Sequence, residues 1–290
     1  MSPILSKLGL GAAQFGLGAP AGPRGRSPEA EAQAILAIAA RSGLSVLDAS
    51  GVYGRAETLL GDVLPRPIPF RVTLNTARAD RGPDFVEAEA RASLGRLGIE
   101  RADAIIVPSA GDLCGPYGAL LWQRLQQMRG EGLFAKIGVS VHASDDPVGV
   151  ARRFKPDIVQ APASLLDQRL LINGALTQLA GMGVEVQLRS IFLNGLLFLP
   201  PDRIPAPLKG ASSSISRVRR LIAEGRSDPL QAALGFALSR KEASTVLVGV
   251  TSASELSAVI AAAASPPPEL DWDRMAIDDA EALDHRWAAA

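Results

Sequence analysis

Asp48 and Tyr53, five residues apart, carry the chemistry this sequence offers most directly. In the stretch 44–64, LSVLDASGVYGRAETLLGDVL, an apolar run ends at Asp48, and Tyr53 follows just before a helical pattern. A carboxylate and a phenol at a strand exit form a candidate proton-donating pair. The phenol needs help, because its unperturbed pKa of ~10 must fall for it to work near neutral pH.

Such a pair has to be positioned by a scaffold, and the rest of the chain supplies one. Eight short apolar runs, near 7–13, 44–48, 70–75, 103–108, 135–140, 157–161, 184–190 and 245–249, read as strands. They alternate with helical patterns near 28–42, 55–64, 84–97, 118–131, 146–154, 168–181, 212–224 and 228–240. Ser27-Pro28-Glu29, Asp84 with Glu87, and Ser227-Asp228-Pro229 mark helix starts. Gly43, Gly98, Gly132 and Gly183 mark left-handed helix ends. Repeated βα units without a compositional break predict α/β architecture, a closed (β/α)8 TIM barrel as one domain over 1–290, with a C-terminal tail from about 265. Catalytic groups of such a barrel lie at the C-terminal ends of its strands. The glycines at 9, 11, 16 and 18 lack the spacing of a doubly wound dinucleotide-binding turn. The segment 195–211 and the tail from Ser265 are long enough to fold over a ligand, or to be plain surface loops.

Composition narrows the partners. Thirty acidic residues balance thirty basic ones, so no global field steers the chain toward nucleic acid or an anionic membrane. The cluster Arg217, Arg219 and Arg220 reads as a solvated helix face. No leader pattern opens the chain and no apolar run reaches the ~20 residues of a membrane span. One cysteine, Cys114, and two distant histidines, His142 and His285, argue against a zinc site and fit a reducing compartment. The expectation is a cytoplasmic protein with a small-molecule partner, no metal, no nucleic acid and no membrane; the oligomeric state is not readable.

Six motifs in order give the chain a resemblance to the aldo-keto reductases over essentially its whole length: LGLGAAQFG at 8–16, DASGVYGRAETLLGDVL at 48–64, KIGVS at 136–140, DIVQA at 157–161, SIFLNGLL at 190–197 and VLVGVTSASEL at 246–256. The resemblance implies an NADP- or NAD-dependent carbonyl reductase on an (α/β)8 barrel. In that family tyrosine protonates the carbonyl oxygen, lysine lowers the tyrosine's pKa, aspartate pairs with the lysine and histidine orients the carbonyl. Tyr53 and Asp48 match the first and third of these roles. Asn75 stands at the lysine position and Pro108 at the histidine position. An adjacent ammonium commonly shifts a pKa by about one to three units, so its loss leaves Tyr53 a weak acid. The same loss leaves Asp48 with a raised pKa, or with arginine or backbone donors in place of the lysine.

The implied cofactor positions are Ser140 and Gln160 at the nicotinamide carboxamide, Arg189 where a tyrosine often stacks, and Gly249, Thr251, Ser252 and Glu255 toward the adenosine. Val141 stands where an asparagine often follows the serine, and Glu255 would repel a 2′-phosphate. Gln14, Phe15 and His142 are placed at the substrate pocket, with Phe15 open to a plain packing role and His142 to that of a surface loop residue. Tyr117 and Trp122 read as a cover for the neighbouring helix. Two functions remain open: a weak or atypical reductase, and a non-catalytic binding protein on the same barrel. A non-redox enzyme using Asp48 and Tyr53 is a third.

Overall fold

A computed structural model describes residues 4–16, 29–51 and 55–283. Eight parallel strands close into one barrel in sequence order. They are β1 (Leu8–Gly11), β2 (Val46–Ser50), β3 (Arg71–Asn75), β4 (Ala102–Val107), β5 (Phe134–Ser140), β6 (Ile158–Pro162), β7 (Glu185–Arg189) and β8 (Ala243–Gly249). β8 pairs back onto β1, with Leu8 opposite Val246 and Gly11 opposite Gly249. Each expected strand falls on one of these, to within two residues at either end. They are readable because a barrel strand is covered on both faces, so its sequence is a short continuous apolar run; β6 is buried throughout.

Around the barrel run α1 (Ala13–Gly16), α2 (Glu29–Ser42), α3 (Ala56–Val63), α4 (Pro83–Leu97), α5 (Ala110–Cys114), α6 (Gly118–Gly130), α7 (Pro147–Phe154), α8 (Arg169–Ile172), α9 (Ala175–Gly181), α10 (Ser212–Glu224), α11 (Pro229–Leu238), α12 (Ala253–Ala264) and α13 (Ala280–Leu283). No helix among the described residues is long and apolar enough to cross a membrane. The helix-ending glycines behave as expected, with positive φ at Gly43, Gly98, Gly132 and Gly183. Asp228 caps α11 by accepting from the Leu230 and Gln231 amides.

Several expectations are corrected. The single helix over 168–181 is two, α8 and α9, because Gly174 between them takes a left-handed φ of 75°. Asp84 does not cap α4; Gly82 holds that position, Pro83 opens the helix, and Glu87 pairs with Arg91 and Arg124 instead. Ser27 and Pro28 lie outside the described residues. Arg217 and Arg219 are half-buried rather than on a solvated face, donating to the carbonyls of Ala276 at 3.1 Å and Leu197 at 3.0 Å. The segment 195–211 forms short 3-10 turns that bury Leu196, Leu197, Ile204 and Leu208. The tail also packs down: Met275, Ile277 and Leu283 are buried, and the Ile277 amide donates to Leu166 O. α12 has no counterpart among the expected helices.

Close approach of backbones explains one glycine of the signature. A Cβ on Gly61 of α3 would run into the Arg96 carbonyl oxygen near the end of α4. Glycine here lets α3 lie against α4, which fixes where the chain leaving β2 re-enters regular structure.

Candidate active site

At the C-terminal ends of the strands lies a cavity of about 370 Å³, lined among others by Gln14, Asp48, Asn75, Pro108, Ser140 and His142. Gln160, Arg189 and Gly249 line it too. Side chains two apart on a strand share a face, and hydrogen bonds from β2 to β3 and from β2 across to β6 run through the barrel interior.

Asp48 is the centre of that network. Its Oδ1 accepts from Asn75 Nδ2 at 2.6 Å and its Oδ2 from Gln160 Nε2 at 2.9 Å. The donors are themselves held, Asn75 Nδ2 also donating to Ala49 O at 3.3 Å and Gln160 Nε2 to Gln187 Oε1 at 3.1 Å. An amide nitrogen has two hydrogens, so both donors are fully engaged. Among the described residues no basic side chain forms an ion pair with Asp48. Burial therefore pushes its carboxyl up to about 6, although the Gln160 and Asn75 bonds and the charge of Arg189 all pull the other way. The raised value matches the sequence expectation. The donors to Asp48 are side-chain amides rather than the alternative arginine or backbone groups.

The second half of the site is built on Arg189. Its Nε donates to Ser140 Oγ at 3.0 Å, Nη2 to Val141 O at 2.7 Å and Nη1 to Ser190 Oγ at 3.2 Å. The guanidinium is thereby tied to the exits of β5 and β7, within electrostatic range of Asp48. The chain beyond it is unusual. Ser190, Leu193 and Asn194 have φ of 57°, 45° and 52°, a region costly for a residue as bulky as leucine. Ser190, Phe192 and Asn194 all line the cavity, so this backbone shapes its wall.

Not every expected residue gathers here. Tyr53 and His285 lie outside the described residues. Phe15 is fully buried in the hydrophobic core and does not border the cavity; it sits on the far side of the turn from Gln14, which does. Thr251, Ser252 and Glu255 stand at the start of α12, outside the cavity lining. There Ser252 Oγ accepts from the Glu255 amide at 3.1 Å, and Glu255 Oε2 accepts from the Thr251 amide at 2.8 Å, a reciprocal cap. Glu31 of α2 reaches over to accept from the Ala253 amide. Cys114 is exposed at the end of α5, away from the cavity. Trp122 packs edge-on against Phe154, 5.5 Å between ring centroids, which fits its covering role.

Two further residues have structural parts not assigned from the sequence. Gln187 fixes Gln160, and it carries a signal: in Glu185-Val186-Gln187-Leu188-Arg189 every second residue is polar, which aims Gln187 and Arg189 at one face. Arg96 donates from Nε to the buried Glu57 at 2.8 Å and from Nη2 to Ser93 Oγ at 2.9 Å. It anchors the start of α3, and nothing local in the sequence marks a partner on another helix.

A family model described as the aldo/keto reductase family matches residues 7–278. An aldo-keto reductase of Mycobacterium sp. (strain MCS) is 33% identical over 121 residues, covering 40% of this chain and 41% of its own. One from Mycolicibacterium smegmatis (strain ATCC 700084 / mc(2)155) is 27% identical over 125 residues, covering 42% and 44%. The match thus spans about two fifths of the length of these relatives. Among solved structures, the aldo-keto reductase AKR11C1 from Bacillus halodurans, in its holo form, superposes with a TM-score of 0.72 at 19% identity, over 98% of this chain and 92% of that one. At that identity the likeness is one of fold.

Proposed function

The chain belongs to the aldo/keto reductase family, and from that premise we propose that its cavity binds a small carbonyl compound while nicotinamide-dependent reduction of it is weak or absent. The carrying observation is the internal commitment of the site. The two groups expected to hold a nicotinamide carboxamide are engaged with the protein's own residues, Gln160 with Asp48 and Gln187, Ser140 with Arg189. The residues present do not fit a nicotinamide head, since seating one would break bonds that satisfy a buried carboxylate. The adenosine side is no better suited to a 2′-phosphate, because the Glu255 and Glu31 carboxylates already take amides at the start of α12.

The remaining groups suit a carbonyl ligand. Apolar Pro108, Ile191, Phe192 and Leu247 line the cavity together with the polar groups of Asp48, Arg189 and His142. What is missing is the cation beside Asp48 and a histidine at position 108. Each positioned acid–base group contributes roughly 10²–10⁴-fold.

The test is the rate of aldehyde reduction with NADPH or NADH, measured for the wild type and for the Asn75→Lys/Pro108→His variant, with a fluorescence titration of each dinucleotide. We expect the wild type to be slower by about 10²-fold or more. Fast dinucleotide-dependent reduction by the wild type, not raised by the two substitutions, would overturn the reading. Saturable dinucleotide binding with slow turnover would make the chain a weak reductase; no dinucleotide binding would make it a non-catalytic or non-redox member.

A further inference from the structure

Asp48 is the one carboxylate on the lining of the cavity among the described residues, and it is held the way a base is held. Each oxygen accepts one amide N–H, from Asn75 and from Gln160. A carboxylate oxygen has room for more than one such bond, so each keeps capacity to take a proton. The two amides are fixed in turn by Ala49 O and Gln187 Oε1, which leaves the carboxyl little freedom to turn. Arg189, tied to Ser140, Ser190 and Val141, adds a fixed positive charge to the same cavity. The other titratable group on the described lining is His142. A reduction needs a hydride donor, but a base facing a fixed cation across a ligand pocket can act without one.

Resting on the reading that the cavity takes a small carbonyl compound, we propose that Asp48 reversibly removes a proton from the carbon beside the carbonyl of such a compound. The carboxylate takes the proton, the C–H electron pair becomes a C=C bond, and the carbonyl π pair moves onto its oxygen. The negative charge developing there lies in the field of Arg189, a preorganised charge of the kind that stabilises enolates. Asp48 then returns the proton, or a solvent deuteron that has replaced it, to carbon and the C=O bond re-forms. Nothing is oxidised or reduced overall. A base is most useful when its pKa lies near the working pH, and burial has moved Asp48 toward that range.

Dihydroxyacetone in deuterium oxide is the probe. Its C–H signals are followed by proton NMR with the full chain, and saturation transfer in the same samples reports binding. Expected is wash-out of the C–H signals faster than in buffer, rising with pH through an inflection near 6, and slowed about 10²-fold or more by Asp48→Asn. Because that variant removes a group the network is built on, Asn75→Lys supplies a second reading: an ammonium beside Asp48 moves the inflection to lower pH, which a merely structural aspartate would not do. Binding without wash-out overturns the proton transfer and leaves the carbonyl-binding reading standing. No binding overturns both. Wash-out that neither substitution alters overturns the role of Asp48.

Discussion

Replacing Asn75 by lysine reverses the pH dependence of stability contributed by Asp48. In the wild type the folded-state carboxyl lies near 6, above the ordinary value of 3.8. A group whose folded pKa is raised stabilises the native state fully below its unfolded pKa and loses that contribution as pH rises through the folded one. The difference of roughly two units corresponds to about 3 kcal/mol, lost between about pH 4 and pH 7. In the Asn75→Lys variant the carboxylate gains an ammonium where it now has an amide at 2.6 Å, and its folded pKa falls below the unfolded value. The contribution is then present above pH ~4 and lost on acidification. Denaturant titrations at pH 4.5 and 7.5, which span most of that loss, should show the variant gaining on the wild type by about 2 kcal/mol as pH rises. Groups common to both proteins cancel in that difference, and parallel profiles would contradict the assignment. The level of both curves is a separate matter, since Asn75 is buried and a lysine there carries its own desolvation cost.

The Arg96→Ala variant should lose about 3–5 kcal/mol, because it leaves the Glu57 carboxylate buried without its cation. Glu57 is only 1% exposed, and its Oε1 already has no hydrogen-bond partner, so the 2.8 Å bond from Arg96 Nε carries its compensation. For a chain of this size the fall in Tm would be on the order of 10 °C by calorimetry. Adding Glu57→Gln to Arg96→Ala should recover part of the loss by removing the stranded charge. A loss below about 1 kcal/mol would mean that the pair behaves as an exposed one. Surface pairs elsewhere, such as Arg129 with Asp157, should cost much less when broken.

These two pairs also show what the sequence can and cannot reveal. Asp48 and Asn75 each end an apolar run and Gln160 lies late in another, so their convergence at one mouth follows from recognising parallel βα units. Their hydrogen bonding does not follow, because it depends on barrel closure bringing β2 within reach of β6. The Arg96–Glu57 pair joins residues 39 apart on neighbouring helices, and ordinary arginines on helices are mostly solvated. Ser252 and Glu255 occupy positions that the resemblance gives to the cofactor, whereas their three-residue spacing is that of a helix cap, the signal that marks α12. Phe15 follows Gln14 directly, yet successive residues of a helical turn point different ways, so only one of the two reaches the pocket. The break at Gly174 turns on a single left-handed residue in an otherwise helical pattern. Of the odd backbone at Ser190, Leu193 and Asn194, only Asn194, an asparagine before Gly195, is of a type that favours positive φ; Ser190 and Leu193 carry no such signal.

The centre of this site is a buried carboxyl bonded to two side-chain amides. The direct measurement is a carbon-13 NMR titration of the Asp48 carboxyl, assigned by its absence in Asp48→Asn. A midpoint near 6 is the predicted result. A midpoint at or below the ordinary value of 3.8 would mean that a cation or further donors reach Asp48, and would contradict the account.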